Sequence, residues 1–430
     1  MVNKTKIIHT DLLTSVEMKF GKLIRNQQDV LLLKEYIFNE TGVILGVNTL
    51  RRFFGLIEST NPNSKTLNTL SQYIGYKNHA NFMKQKAKDY SWNCWERVFK
   101  MELEPYLSDE SIKDLLLLKK TNSDYYLFLI YLVSSAFSLR QVNKLKFYFS
   151  NQRLLNLDFN IALRFGLSVG NRMRDLPESQ FHIFDSLVSE SLFRENIVYF
   201  FVDYSHLNGY YAILLKGAKQ YEKASDSKVF INLMQSYGAY LTSEDLFEFT
   251  PVLKPSSKFP TLEGRYFGWM LLSADPSDVE EIFNVTLNHA KRASNFLEFF
   301  LEVVPALIFI KRIDLITIVV EDYYEKVFNA TQWQHSTEET IYLIGKSLSD
   351  TKCMKLKTAR LSLTHIDLFN ITESYDDYLT LFYQVALYQI LKLENESETK
   401  EMLKIEEQYS KIVERTGLVR FDLKLLKEYF

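Results

Sequence analysis

A chain of 430 residues with 47% hydrophobic content can bury large cores in two or more structural units, which excludes an intrinsically disordered protein. Gly (14) and Pro (8) are scarce for this length, leaving few turns for a sheet-rich fold, so the composition predicts an all-α protein. The net charge of −2 hides a division: residues 1–100 carry 15 Lys and Arg against 8 Asp and Glu, net +7, whereas residues 101–430 carry 36 against 45, net −9.

Residues 1–27 read as an N-terminal leader. The stretch MVNKTKIIHTDLLTSVEMKF has lysines but neither an unbroken apolar core nor a small-residue cleavage site, so it does not read as a secretion signal. The two cysteines, Cys94 and Cys353, exclude a disulfide scaffold and a Cys-rich zinc site, and a reducing cytoplasm is the simplest setting.

Residues 28–90 read as a bundle of short helices. The first runs from Asp29 to Glu40 and turns Val30, Leu33 and Ile37 inward. Asn48 is placed to cap a second, whose stripe is Leu50, Phe53, Phe54 and Ile57, with Arg51 and Arg52 pointing elsewhere. Ser64, two residues after Pro62, is the expected cap of a third from Lys65 to Ile74. There Leu67, Leu70 and Ile74 share one face and Lys65, Asn68, Thr69 and Gln72 face outward. Gly75 stops that helix, and another begins at Asn78, carrying Phe82 inward and Lys84, Lys86 and Lys88 along its later turns. Helices this short are unstable alone and must pack on one another, leaving their polar faces for a partner.

At these residues the chain resembles two groups of helix-turn-helix regulators. The run TLRRFFG followed by NSKTLNTLSQYIGY looks like the recognition helix and following helix of lambda-repressor-like (Xre-type) domains, which implies Thr49, Arg51 and Arg52 in the major groove. The overlapping run LSQYIGYKNHANFMKQ is similar to the second helix-turn-helix of AraC-type regulators, which implies Lys77, Asn78, His79, Asn81 and Lys84 there instead. Lys65, on the outward side of the intervening helix, completes the DNA-facing set. The residue types suit double-stranded DNA: Arg makes forked contacts with guanine, Asn with adenine, and Lys meets phosphate.

Residues 91–108 read as a connector. Beyond it, apolar helical patterns alternate with polar breaks, among them Asp109 to Lys120, Ser123 to Phe137, Glu178 to Glu190, Gly209 to Glu222, Asp278 to Arg292, Ser294 to Ile310 and Tyr375 to Leu393. Paired antiparallel helices stacked as an α-solenoid are the economical packing for such a series. Residues 109–250 and 262–430 form its two halves. A Pro-rich break at 251–261 separates them, where Pro251, Pro255 and Pro260 cluster. The spacing is tetratricopeptide-like at Gly209 to Leu241, but the tetratricopeptide signature is not met. The aromatic run Tyr199, Phe200, Phe201, Tyr204, Tyr210 and Tyr211 reads as helix packing.

No catalytic, metal or cofactor site emerges. The seven histidines form no His-x-x-x-His pair, and Gly345-Lys346-Ser347 lacks the earlier glycine of a phosphate-binding loop, Thr340 standing in its place. The most apolar segments, Tyr125 to Phe137 and Phe299 to Ile310, are too short to cross a bilayer and read as buried helices. The expectation is a cytoplasmic, non-enzymatic DNA-binding transcriptional regulator. Its helical-repeat body is expected to dimerise or to sense a ligand or peptide, a layout that looks like that of peptide-responsive regulators. The alternative is a protein-interaction scaffold or adaptor built on the solenoid.

Overall fold

The computed structural model describes residues 4–58, 61–122, 124–243, 252–256, 259–329, 336–395 and 399–430. The chain divides into two compact units, Met1–Leu103 and Glu104–Phe430. Every regular element among the described residues is helical, as the composition led one to expect.

The first unit contains α1 (Lys4–Phe20), α2 (Gln27–Thr41), α3 (Val47–Phe53), α4 (Ser64–Tyr73) and α5 (His79–Leu103). The residues set apart as a leader therefore supply a helix, and α5 runs through most of the expected connector. A capping box opens α2: the Asn26 side chain accepts from the Asp29 amide at 3.0 Å, and Asp29 accepts in return from the Asn26 amide at 3.2 Å. Gly42, at φ 68°, closes it by donating its amide to the Phe38 carbonyl at 2.8 Å.

Two caps differ from the sequence reading. Asn63, not Ser64, caps α4 and accepts from the Thr66 amide at 2.8 Å, with Ser64 as the first helical residue. Both residue types cap well, and Thr66, 2% exposed, also hydrogen-bonds to Asn63, which fixes the earlier position. Gly46 precedes α3, so Asn48 lies inside its first turn and accepts from Arg51 Nη1 at 3.3 Å. Asn78 caps α5, accepting from the Asn81 amide at 2.9 Å.

Helices α3 and α4 are only 7 and 10 residues long and depend on tertiary packing. That packing is one apolar core: Leu12 and Val16 from α1, Val30, Leu33 and Ile37 from α2, Leu50 from α3, Leu70 and Tyr73 from α4, and Phe82 from α5. Full burial of one such side chain contributes about 1.5–3 kcal/mol. Leu67 and Ile74 pack at its edge. Thr69, expected to face outward, is 2% exposed and donates its hydroxyl to the Lys65 carbonyl at 2.9 Å.

In the second unit, the Pro260–Ser273 helix packs on Phe296–Phe309, that helix on Ser336–Lys352, and that on Asp376–Glu394. The intervening helices Val279–Ala290, Ile313–Asn329 and Leu356–Thr364 each pack on both neighbours in the row, so the helices form a packed array. Backbone hydrogen bonds run between the two expected halves. The Tyr204 amide donates to the Ser374 carbonyl at 3.0 Å and the Arg420 amide to the Leu241 carbonyl at 3.2 Å. Pro260 sits in the first turn of its helix, where a missing amide costs nothing, while Pro251, Ser123 and residues 257–258 lie outside the described residues. The helix expected from Glu178 to Glu190 is broken into a 3₁₀ turn, Glu178–Gln180, and a short α-helix, His182–Leu187.

Two helices not foreseen, Phe159–Arg174 and Pro260–Ser273, each carry glycines four residues apart: Gly166 with Gly170, and Gly264 with Gly268. A Cβ at Gly264 would lie 2.3 Å from the Phe299 carbonyl oxygen, and one at Gly268 2.6 Å from that of Glu302. The glycines thus let two helix backbones touch. The approach brings Arg265 Nη2 to 2.8 Å from Glu302 Oε1 in the buried interior. The Tyr204 and Tyr375 hydroxyls donate to the same carboxylate at 2.6 and 2.8 Å. Burial, reinforced by the Glu302 charge, raises both phenols well above their ordinary range and keeps them protonated as donors. A buried ion pair so enclosed stabilises little in net terms, yet removing one partner leaves the other charge uncompensated.

If backbone contact is what these glycines permit, Gly264→Ala lowers the unfolding free energy by about 1–3 kcal/mol through overpacking. Gly238→Ala, where the nearest atom to an added Cβ is 3.5 Å away, leaves it unchanged or slightly raised. Urea unfolding midpoints compare the two, and equal midpoints contradict the crossing described.

Candidate nucleic-acid interface

With the apolar stripes turned into the core of the first unit, helical period decides which polar side chains remain outside. Two sets stand out among the basic residues. Lys19 belongs to the framework: its ammonium bonds the Glu40 carboxylate and the Tyr73 carbonyl and lies 4.8 Å from the Tyr73 ring centroid, tying α1 to α2 and α4. Lys22 is likewise spent, 2.6 Å from Asp29 Oδ1; with the Arg25 amide it holds the Asp29 carboxyl below its usual range.

Arg52, Lys65, Lys77 and Lys84 form the other set. All four are exposed, and among the described residues none enters an ion pair. Asn81 is exposed as well. Asn81 and Lys84 stand three residues apart on one side of the start of α5, away from the buried Phe82, and Lys77 lies in the turn two residues before the helix. That start is anchored: Asn68 of α4 accepts from the His79 amide at 2.9 Å, and Gly75, at φ 97°, makes the turn between the helices.

The remaining residues singled out from sequence are partly withdrawn. Thr49 and Arg51 are half-buried on α3, Arg51 bonding Asn48. Asn78 is committed to capping α5. His79 is half-buried and stacked on Phe82, ring centroids 6.2 Å apart. The Lys88 side chain lies outside the described residues. Asn81 and Lys84 therefore share one face of α5, with Lys77 in the turn before it, whereas Arg52 and Lys65 sit on other helices.

In the second unit the aromatic run packs as expected: Phe201, Tyr204, Tyr210 and Tyr211 are buried. The sequence reading missed what their hydroxyls do. Tyr210 donates to Asp203 at 2.6 Å, and the same carboxylate lies 3.3 Å from Arg174 Nε and 3.0 Å from His206 Nδ1. Among the described residues, no helix is long and apolar enough to cross a membrane and no three His, Cys, Asp or Glu side chains are grouped to hold a metal ion.

The position of the α4 cap bears directly on the turn that sets α5. Asn63→Ala costs about 1 kcal/mol and speeds hydrogen exchange across Leu67–Tyr73 about fivefold, whereas Ser64→Ala changes it little. Equal effects of the two substitutions, read by mass spectrometry on the full chain, contradict the cap assignment. Comparison with family models, with curated proteins and with solved structures returned no match.

Proposed function

We propose that this chain is a DNA-binding transcriptional regulator in which the first unit holds duplex DNA and the helical body senses a ligand. One observation carries the reading: Asn81 and Lys84, exposed and without an ion pair among the described residues, share a face at the start of a helix fixed to its predecessor by a Gly75 turn and the Asn68–His79 bond, with exposed Lys77 in the turn just before it. A helix so presented can enter a major groove, with Asn81 suited to adenine and the lysines to phosphate. This favours the AraC-like docking over the Xre-like one. Helix α3 is only 7 residues long, and its Arg51 is already hydrogen-bonded to Asn48. Arg52 and Lys65 then serve as phosphate contacts. The net +7 of residues 1–100 against −9 for the remainder favours phosphate at one end of the chain.

Fluorescence anisotropy of the full-length protein with a labelled mixed-sequence duplex tests this. Retention is expected at about 50 mM salt and falls steeply toward about 200 mM as counterions are released. Asn81→Ala with Lys84→Ala weakens retention more than Arg51→Ala with Arg52→Ala, and Lys84→Ala alone lowers the salt slope by about 1. Absence of retention at low salt by folded protein sinks the regulator reading and favours the adaptor. A larger loss from the arginine pair overturns the α5 docking.

A further inference from the structure

A cavity of about 410 Å³ opens on the second unit between the Pro260–Ser273 and Val279–Ala290 helices, within the size range of small-molecule sites. Its apolar lining includes the rings of Tyr266 and Phe267 with Met270, Ile282 and Val285. Its charged lining is divided in sign: Lys254 supplies a cation, and Asp278 and Glu281 supply carboxylates.

The cation is held in place from behind. Lys254 Nζ lies 3.2 Å from His289 Nε2 and 5.7 Å from the Phe267 ring centroid, and His289 packs on Phe267 with ring centroids 4.6 Å apart. A charged ammonium only donates, so His289 Nε2 accepts and the ring proton sits on Nδ1. That atom faces Glu263 Oε1 at 3.5 Å, and Glu263 is buried. The chain Glu263–His289–Lys254 thus fixes one ammonium at the wall of an aromatic cavity. Among the described residues it engages one of that ammonium's three hydrogens, and the others can turn to an incoming group.

We propose that this cavity binds a small zwitterion bearing an aromatic side chain, chemically an aromatic α-amino acid. The ligand's carboxylate meets Lys254, its ammonium meets Asp278 and Glu281, and its ring lies against Tyr266, Phe267 and Met270. Charge complementarity selects this class. A purely anionic ligand faces two carboxylates and a purely cationic one faces Lys254, whereas the zwitterion satisfies both poles over an apolar floor. As the effector site of the body, the cavity rests on the regulator reading; as a binding site it does not.

Calorimetric titration of the full-length protein without DNA reads this site alone, so its failure and a failure of DNA retention are separate results. The probes are phenylalanine, phenethylamine and 3-phenylpropionate. Phenylalanine is expected to bind about tenfold or more tightly than either single-charge analogue. Lys254→Met removes the advantage over phenethylamine, and Asp278→Asn with Glu281→Gln removes the advantage over 3-phenylpropionate. Lack of saturable heat with all three probes on folded protein overturns the site. Binding of phenethylamine as tight as that of phenylalanine, or insensitivity of the phenylalanine affinity to both variants, overturns the assigned ligand class.

Discussion

The burial of Leu12, Val16, Val30, Leu33, Ile37, Leu50, Leu70, Tyr73 and Phe82 in one cluster is the interaction on which the proposed interface depends. Helices as short as α3 and α4 do not persist in water alone. Once their apolar sides are committed to that cluster, the orientation of every outward side chain is set by the helical period. The cluster therefore acts as a sorting device. It consumes Lys19 and Lys22 in ties between helices and leaves Arg52, Lys65, Lys77 and Lys84 at the surface. A charge count over residues 1–100 cannot make that distinction, because two lysines with identical chemistry end in opposite roles.

Much of the first unit was legible because its signals are local. The apolar spacing of Val30, Leu33 and Ile37, the inward Phe82 and the stop at Gly75 all appear in the structure as the residue order suggested. What was missed is tertiary. Asn63 and Ser64 are adjacent and both favour caps, and burial of Thr66 decides between them. The lysines in the first twenty residues obscured a helix that turns Leu12 and Val16 inward. His79 read as a groove contact from its position in the motif, but its ring stacks on Phe82.

In the second unit glycine carries opposite meanings. By local rules Gly166, Gly170, Gly264 and Gly268 argue against helix, each costing about 1 kcal/mol relative to Ala. At a close crossing the same residues are required, since a Cβ at Gly264 would collide with the Phe299 carbonyl. Only the pairing of helices distant in sequence reveals this, and the crossing in turn determines where Arg265 and Glu302 meet. The Glu263–His289–Lys254 chain was invisible for a related reason. Its members lie on separate segments, so no short motif spaces them. Helix existence is a property of local pattern, whereas sites assembled between helices are a property of packing.

The central claim, that one exposed side of the first unit contacts nucleic acid while the acidic remainder does not, has a direct test in hydrogen exchange. Full-length protein is compared with and without duplex DNA at low salt, and peptides covering the whole chain are followed by mass spectrometry. The account predicts slowed exchange confined to residues 74–86, with a smaller effect around Arg52 and Lys65, and unchanged exchange from Glu104 onward. Slowing concentrated in the Glu104–Phe430 unit, or no change at residues 74–86 while DNA is bound, contradicts it.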